Sequence, residues 1–416
     1  GKSAYCLPQT APDCVNLAIC ENLFPPSPAV IARVTAEASR GELHKYPEQN
    51  QLLRGLTVKV ANYTGTTPNN ILFAHGSDNC LRLILETYCN ETTCVWLPTP
   101  TYPHLLQMLN TRRLLELRKM TIKDALNTDS VVPQLLYICS PNLPTGYCIS
   151  REQLMKLLNR LPNTLIILDE AYIEYGGEPA ASLVNTFNNL IITRTFSKAF
   201  GLAAVRLGYI VASRGRFEEL SILHNSKDVT NGALVAADEA FNQLDYYLQQ
   251  ATNARAIRDS LKTQFVFNKD GQDFVHGCLI GSGMFFLLFT KDSARLTQLF
   301  RKYGILIRDK HDELPGCVRL TIATAPIMQK VVKIVKSVNL MHRLNAKRLV
   351  FIDLDGTLRP GAGATPLCEG ALNLLRYFEA NQTKVVVVTN NTIRAKADLK
   401  HYLESQGVVS DICTPF

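Results

Sequence analysis

Lys198 has the sequence surroundings of a chemically reactive amine. It follows an apolar run in the segment Ile192–Gly201, and Arg206 comes eight residues after it. Burial and neighbouring cations both lower the pKa of a lysine, and the free amine can then condense with an aldehyde to form a Schiff base. The alternative is an ordinary solvated lysine beside a helix-capping Ser197, and the rest of the chain decides between the two.

Five short apolar runs predict the strands that would position these residues. They lie at residues 94–97, 134–139, 164–169, 190–193 and 207–211, with helical patterns between them. Runs that are apolar throughout indicate strands covered on both faces, so residues 70–215 are predicted to form a doubly wound α/β domain. Ligands bind beyond the carboxyl ends of the strands in such sheets, and Ser140, Asp169 and Thr195 emerge there.

The chain after residue 229 is predicted to form two further parts. A long helical stretch at residues 230–265 and more alternating strands at 283–289, 305–308 and 318–322 indicate a smaller α+β lobe. We assign residues 1–45 and 230–342 to this small domain and residues 46–229 to the large one. Beyond a basic connector, residues 347–416 begin a new α/β unit with two strand–helix pairs, which make half a domain.

Size and composition restrict the class of protein. A chain of 416 residues is expected to form two or three domains, and 46% hydrophobic with 19% charged residues is typical of a soluble globular protein. The net charge of +8 is spread out, so nucleic-acid binding is not expected, and the apolar runs are too short for a membrane span. Twelve scattered cysteines without a Cys-x-x-Cys pair predict reduced thiols and a cytoplasmic location.

A series of ordered motifs covers residues 15–340. They are Tyr46–Pro47, Gly76–Asp78, Pro98–Tyr102, Ser140–Gly146, Asp169–Tyr175, Arg194–Phe200, Arg206–Gly208 and Gly316–Thr321. Each is weak alone, but their order and spacing resemble the fold type I pyridoxal-phosphate aminotransferases, most of all the histidinol-phosphate aminotransferases. The resemblance implies a large doubly wound α/β domain that binds pyridoxal 5'-phosphate, a small α+β domain, and a homodimer with shared active sites.

The resemblance assigns the centre of the site. Lys198 would hold the cofactor's aldehyde carbon and then move a proton between substrate and cofactor. Asp169 would keep the pyridine nitrogen protonated through a charge-assisted hydrogen bond, and Tyr172 would donate to the cofactor's phenolic oxygen. Taken alone, Asp169 could be a cap at the end of a strand and Tyr172 a core tyrosine.

The cofactor's phosphate is expected at the start of a helix, next to a cation. Ser77 and Asp78 begin a helical run that would supply backbone amides. By the resemblance, Thr195, Ser197 and Arg206 would add hydroxyl groups and positive charge. A plain helix cap would explain Ser77 and Asp78 equally well.

The resemblance also assigns two tyrosines and one amide around the cofactor ring. Tyr102 would stack on the pyridine ring, and Tyr46 would reach the phosphate of the neighbouring subunit's cofactor. The family places an asparagine before Pro-Thr-Gly to donate to the phenolic oxygen, but this chain has Leu143 there. Asn142 precedes it and would reach the oxygen only if the loop shifted.

Three residues are candidates for substrate binding. Arg319 matches the family's arginine for the substrate carboxylate, where its planar guanidinium would make two parallel hydrogen bonds. A phosphorylated substrate also needs a cation at its far end, and Arg308 is the candidate, with a surface arginine as the alternative. Asn22 lies in the segment Cys20–Leu23, which differs from the family's Asn-Glu-Asn-Pro.

The carboxyl-terminal unit carries a second set of motifs. Asp353-Leu-Asp355-Gly-Thr follows an apolar strand and resembles the first motif of the haloacid-dehalogenase phosphatases, and the run that ends at Thr389 resembles the second. Asp353 would attack phosphorus, Asp355 would protonate the leaving oxygen, and Mg²⁺ would be held by both aspartates. The later lysine and acidic pair that this catalysis needs are not found, so we expect an inactive phosphatase.

Together these features predict an aminotransferase that exchanges an amino group between glutamate and a phosphorylated or aromatic keto compound. The resemblance favours histidinol phosphate and imidazole acetol phosphate, in histidine biosynthesis, and a fused phosphatase would fit the following step. Three alternatives stay open: a decarboxylase of a phosphorylated amino acid on the same fold, a scaffold that has lost catalysis, and a protein whose main function is phosphatase chemistry.

Overall fold

A computed structural model describes residues 13–41, 44, 51–112, 114, 116–127, 132–225, 227–268, 271–345, 349–361, 366–389, 396–407 and 411–413. The chain forms two compact units. The first contains residues 1–266 and 277–332, and the second contains residues 267–276 and 333–416. The assignment of residues 1–45 and 230–342 to a small domain stays a prediction.

The helices and strands follow one another along the chain with short connections. The first part contains β1 (Val15–Asn16), α1 (Pro28–Ser39), α2 (Gln51–Thr64), β2 (Ile71–Ala74), α3 (Gly76–Tyr88), β3 (Cys94–Pro98), α4 (Pro103–Asn110), β4 (Glu116–Met120), α5 (Ile122–Asn127), β5 (Leu135–Cys139), α6 (Arg151–Arg160), β6 (Leu165–Asp169), β7 (Leu190–Thr195) and β8 (Gly208–Ala212). The rest contains α7 (Arg214–Leu223), α8 (Asn231–Asn242), α9 (Leu244–Gln264), β9 (Val275–Leu279), β10 (Phe285–Thr290), α10 (Ser293–Lys302), β11 (Ile305–Leu306), β12 (Arg308–Asp309), β13 (Cys317–Thr321), α11 (Ala325–Asn345), β14 (Leu349–Asp353), α12 (Ala371–Ala380), β15 (Lys384–Val388), α13 (Lys396–Ser405) and β16 (Asp411–Cys413).

The large sheet confirms the five strands that the apolar runs predict. In the described residues it has seven strands in the order β2-β8-β7-β6-β5-β3-β4. Strands β3 to β7 are parallel, whereas β8 runs antiparallel to both of its neighbours. Strands β2 and β4 were not predicted: Ile71–Ala74 has only four residues, and Glu116–Met120 is a partly exposed edge strand without an apolar run.

Both faces of this sheet are covered, as an uninterrupted apolar strand requires. On one face Trp96, Leu136 and Ile192 are completely buried in one apolar cluster. On the other, Val95 and Tyr137 are completely buried in a second cluster. Each large apolar side chain buried in this way contributes about 1.5–3 kcal/mol, so the sheet is a firm support for residues at its edge.

Strand ends place chemical groups along one edge of the sheet. Asp169 ends β6 and is the register partner of Cys139, which ends β5. It also lies beside Thr193 of β7, two residues before that strand ends at Thr195. The carboxyl edge of the sheet therefore brings three segments together, as the sequence predicts.

The remaining part of the first unit contains an antiparallel arrangement of β10, β13 and β12. In its register Arg308 of β12 faces Arg319 of β13. The predicted helical stretch 230–265 is in fact two helices, α8 and α9, divided at Gln243. No glycine or proline marks this break, so the helical pattern runs through it.

The second unit has a small parallel sheet of its own. Strands β14, β15 and β16 are adjacent in that order, and an apolar cluster that includes Ile352, Phe378 and Val387 packs on one side. The two predicted strand–helix pairs are present, and Asp411–Cys413 adds a third strand that was not predicted. Three residues without an apolar run gave no signal for it. Within the described residues, no helix is both long and apolar enough to span a membrane.

Candidate active site

A cavity of about 210 Å³ lies at the carboxyl edge of the large sheet. Nine of the residues that the sequence singled out line it: Ser77, Asp78, Tyr102, Asp169, Tyr172, Ser197, Lys198, Arg206 and Arg319. They come from six separate segments of the chain. The fold therefore brings together most of the predicted cofactor and substrate residues.

Lys198 lies in this cavity with its amine held by backbone. Its Nζ donates a hydrogen bond to the carbonyl oxygen of Cys20 at 3.1 Å and lies 5.4 Å from the centre of the Tyr172 ring. Burial lowers the pKa of Lys198, and the positive charge of Arg319 acts in the same direction. The result is an amine that gives up its proton more readily than a surface lysine.

Asp169 is a buried carboxylate at the end of β6, with 4% of its surface exposed. Its Oδ2 accepts a hydrogen bond from the Tyr137 hydroxyl at 2.8 Å, and its Oδ1 accepts one from the backbone N–H of Ala171 at 3.1 Å. Burial raises the pKa of Asp169 to about 6, although the hydrogen bond from Tyr137 opposes this shift. At neutral pH the group is mostly an anion that would gain from a cationic partner.

The start of α3 forms a close-fitting cradle. A Cβ atom at Gly76 would lie 2.6 Å from Nη2 of Arg206, and one at Gly208 would lie 2.6 Å from the backbone nitrogen of Ser77. Glycine at both positions lets a guanidinium and strand β8 approach the helix N-terminus. Free backbone N–H groups, the helix dipole and a cation together suit a phosphate group.

Asp78 and Tyr102 are joined at the side of this cradle. The Tyr102 hydroxyl donates to Oδ1 of Asp78 at 2.7 Å, and Nη2 of Arg206 lies 3.9 Å from Oδ2. Asp78 is therefore placed to orient the tyrosine and the arginine. Thr195 is buried and accepts from the backbone N–H of Ser197 at 3.1 Å, which shapes the loop before Lys198, but it does not line the cavity.

Arg319 is a buried cation in the lining of the same cavity. Its exposed fraction is 6%, and its Nη2 donates to the carbonyl oxygen of Ala18 at 2.5 Å. Its Nε has no hydrogen-bond partner among the described residues. A buried guanidinium that lines a cavity and has an unused donor is suited to an anionic ligand.

Four of the sequence-predicted residues that the structure describes do not line this cavity: Arg308, Asn22, Thr195 and Asn142. Arg308 lines a second, larger cavity instead. The amide of Asn22 donates to the carbonyl oxygen of Ala199 at 3.1 Å. Thr195 is buried and lies outside the lining. Tyr46 lies outside the described residues, so its role stays a prediction.

Asn142, the fourth, is fully engaged elsewhere. It accepts from the Thr101 hydroxyl at 2.9 Å and donates to the carbonyl oxygen of Pro100 at 3.0 Å and to the Thr145 hydroxyl at 2.8 Å. Leu143 lines the cavity next to it, with 4% of its surface exposed. A contact of Asn142 with the cofactor would require these three hydrogen bonds to break.

Two contributors to the site, Tyr137 and the carbonyl of Cys20, were not predicted from the sequence. Tyr137 lies two residues before the end of β5, and strand alternation would have indicated that its side chain shares a sheet face with Cys139. The carbonyl of Cys20, which holds Lys198, belongs to the backbone and comes from a segment 178 residues away. A sequence pattern does not report a contact of this kind.

The phosphatase-like motifs form a separate cluster in the second unit. Asp355 accepts a hydrogen bond from Nε of Arg359 at 2.5 Å, and the Thr389 hydroxyl donates to its other oxygen at 3.4 Å. Arg359 is completely buried, with its guanidinium carbon 5.0 Å from the centre of the Tyr402 ring. Asp353 is exposed at the end of β14, and the described residues hold no group of three or more side chains placed to bind a metal.

The family model described as "Aminotransferase class I and II" matches residues 12–335. The chain belongs to the class I and II aminotransferase family. Pyridoxal phosphate is the cofactor expected for this family of enzymes. A second model, described as "Haloacid dehalogenase-like hydrolase", matches residues 350–412 and confirms the resemblance of the carboxyl-terminal unit.

Individual relatives cover most of this aminotransferase. The dihydroxyacetone phosphate transaminase of Campylobacter jejuni is 30% identical over 330 residues, which cover 75% of this chain and 86% of that protein. The histidinol-phosphate aminotransferase of a Thermoanaerobacter species is 28% identical over 311 residues, covering 71% and 84%. The solved histidinol-phosphate aminotransferase of Sinorhizobium meliloti, in complex with pyridoxal-5'-phosphate, has a TM-score of 0.65 at 22% identity and covers 80% and 96%. This last likeness confirms the fold type I architecture.

Proposed function

We propose that this protein transfers an amino group between glutamate and a phosphorylated keto compound, with histidinol phosphate and imidazole acetol phosphate as the favoured pair. The observation that carries the proposal is that one cavity holds Lys198, Asp169 and the helix start at Ser77 with Arg206. The names of two relatives, a dihydroxyacetone phosphate transaminase and a histidinol-phosphate aminotransferase, support a phosphorylated substrate. A homodimer and a cytoplasmic location belong to this proposal through the family resemblance.

The residues of the cavity fit pyridoxal 5'-phosphate. The cradle between Gly76, Gly208 and Arg206 suits its phosphate, and Asp169 suits a protonated ring nitrogen. When bound, the cofactor supplies an aldehyde that combines with amines and a ring that withdraws electrons from the substrate carbon. Lys198 supplies the amine on the protein side.

The protein's part in the reaction follows from charge and position. Because burial lowers the pKa of Lys198, a larger share of its Nζ is unprotonated near neutral pH and able to take up a proton. The carbonyl of Cys20 holds this Nζ in the cavity wall, so proton transfer occurs from a fixed position. Arg319 lines the cavity and would bind and orient the carboxylate of glutamate through its guanidinium.

Absorption spectroscopy tests this proposal. The purified protein should carry a band at the violet edge of the visible spectrum, and Lys198→Ala should abolish that band. Lys119→Ala is the matched control, because that lysine is exposed and lies outside the cavity. A colourless wild type that takes up no added pyridoxal phosphate would overturn the proposal.

Addition of glutamate separates this function from the alternatives. An aminotransferase should lose the visible band as the amino group moves to the cofactor, whereas a decarboxylase of a phosphorylated amino acid should keep it. A scaffold without catalysis should keep the band with every amino donor, and Leu143→Asn should not restore any turnover. Loss of the band with glutamate and its return with a phosphorylated keto compound would support the proposal.

For the carboxyl-terminal unit we propose the absence of phosphatase activity. This proposal is supported by the hydrogen-bonded ion pair between Arg359 and Asp355. The guanidinium of Arg359 engages the Asp355 carboxylate, which would otherwise serve as the acid and base. Mg²⁺-dependent hydrolysis of a phosphate ester by the whole protein would contradict this. The matched control is Asp353→Asn, which removes the nucleophile that any such activity would need.

A further inference from the structure

A second cavity of about 640 Å³ adjoins the first. Tyr102 lines the first cavity, while its chain neighbours Thr101 and Pro103 line the second. Likewise Arg319 lines the first cavity, and its register partner Arg308 lines the second. Neighbouring residues therefore line the two cavities, and the larger one has the size of a small-molecule site.

The buried charge of this second cavity is positive. Lys310 lines it with only 4% of its surface exposed, although lysine is rarely buried to this degree. It follows Arg308 by two residues, and its N–H continues the ladder by donating to the carbonyl oxygen of Cys317 at 2.9 Å. Burial lowers the pKa of Lys310, and the charges of Arg319 and Arg308 act in the same direction, so three cations are clustered.

The counter-charge of Lys310 is close to water. Its Nζ contacts Oε1 of Glu313, whose side chain is 33% exposed, compared with 3% for Lys310. The other carboxylates in the lining, Asp309 and Asp312, are also exposed. Burying the charge of Lys310 costs folding free energy, and a partly solvated Glu313 compensates it only in part. A bound anion in place of Glu313 would compensate that charge better.

We propose that the second cavity receives the distal phosphate of the substrate and that Lys310 makes a phosphate dianion preferred over a carboxylate. On binding, the dianion replaces Glu313 as the partner of Lys310, and Glu313 turns to water. This inference rests on the proposed function, because it extends the substrate from Arg319 past Arg308. It adds a specificity-determining residue that no motif of the chain indicated.

Calorimetric titration of the cofactor-loaded protein tests the role of Lys310. Glycerol 3-phosphate is the probe, since it has neither a keto nor an amino group to react, and glycerate is the singly charged counterpart. Lys310→Met, which keeps side-chain volume, should weaken binding of glycerol 3-phosphate by roughly tenfold or more and leave that of glycerate within about twofold. Glu313→Gln should have the opposite effect and increase the affinity for glycerol 3-phosphate.

Lys302→Met provides the matched control, because this exposed lysine of α10 lines neither cavity. It should change both affinities by less than about twofold. An unchanged affinity of Lys310→Met for glycerol 3-phosphate, an equal loss for both ligands, or weaker binding by Glu313→Gln would overturn the inference. A wild type that takes up no cofactor would refute the proposed function instead, so the two failures are distinguishable.

Discussion

Replacement of Asp169 by asparagine should stabilise the cofactor-free protein at pH 8 while it weakens cofactor binding. Burial raises the pKa of this carboxyl from 3.8 to about 6. Each pKa unit corresponds to about 1.4 kcal/mol, so the ionised group costs roughly 3 kcal/mol of folding free energy well above pH 6. Asparagine has the same shape and does not ionise.

The free energy of unfolding changes with pH in a direction that is set by the two pKa values of Asp169. Below about pH 3.8 the carboxyl is protonated in the folded and in the unfolded chain, and it costs nothing. Between about pH 3.8 and pH 6 the unfolded chain releases the proton while the folded protein retains it, so stability is lost as the pH rises across that range, and the loss levels off above pH 6. About 2 kcal/mol of the difference should therefore develop between pH 4.5 and pH 8. The altered hydrogen bond with Tyr137 adds an offset that is independent of pH.

Urea unfolding followed by tryptophan fluorescence measures this difference. Trp96 is the single tryptophan and is completely buried in β3, so its emission reports on the large sheet. Subtracting the wild-type free energy of unfolding from that of Asp169→Asn at each pH cancels all other titrating groups. A difference that is flat between pH 4.5 and pH 8, or that favours the wild type more as pH rises, would refute the reasoning.

Three further predictions concern the cradle, the cofactor's oxygen and the second unit. Gly208→Ala should weaken cofactor affinity by roughly tenfold or more, because the added Cβ would lie 2.6 Å from the backbone nitrogen of Ser77. Equilibrium dialysis measures this affinity, and an unchanged value would show that the helix start is not the phosphate site. Leu143→Asn should lower the pH at which the visible band of the loaded protein titrates, since it offers a donor to the phenolic oxygen; no shift in a spectrophotometric titration argues against that contact. Arg359→Met should destabilise the carboxyl-terminal unit by roughly 1–3 kcal/mol, because Asp355 loses its buried partner. Limited proteolysis should then cut within that unit faster than in the wild type, and equal resistance to protease would contradict the importance of this ion pair.

Site residues could be predicted from the sequence where a polar residue directly follows a buried apolar strand in the same segment. Asp169 and Thr195 could be placed because apolar runs end at them, and parallel strands bring their ends to one edge. Contacts between distant segments were harder to foresee. The placement of Arg308 and Arg319 on two cavities depends on the register of β12 and β13, which neither short strand specifies by itself.

Buried ion pairs were equally hard to predict from the sequence. Lys310 reads as a surface lysine in its polar segment, and only the structure shows it to be buried. Arg359 likewise has no motif that marks it, yet it binds the carboxylate on which phosphatase chemistry would depend. Local patterns identify candidate groups, whereas tertiary packing decides which of them are available to a ligand.

We expect Lys198 to be the amine that receives the cofactor. Borohydride reduction of the loaded protein would fix the cofactor's carbon on that nitrogen, and peptide mass spectrometry would locate it. We expect one reduced cofactor per chain, on the peptide that contains Lys198, and none after prior removal of the cofactor. An adduct on another lysine, such as Lys310, or a protein that stays unmodified while cofactor is present would contradict the account.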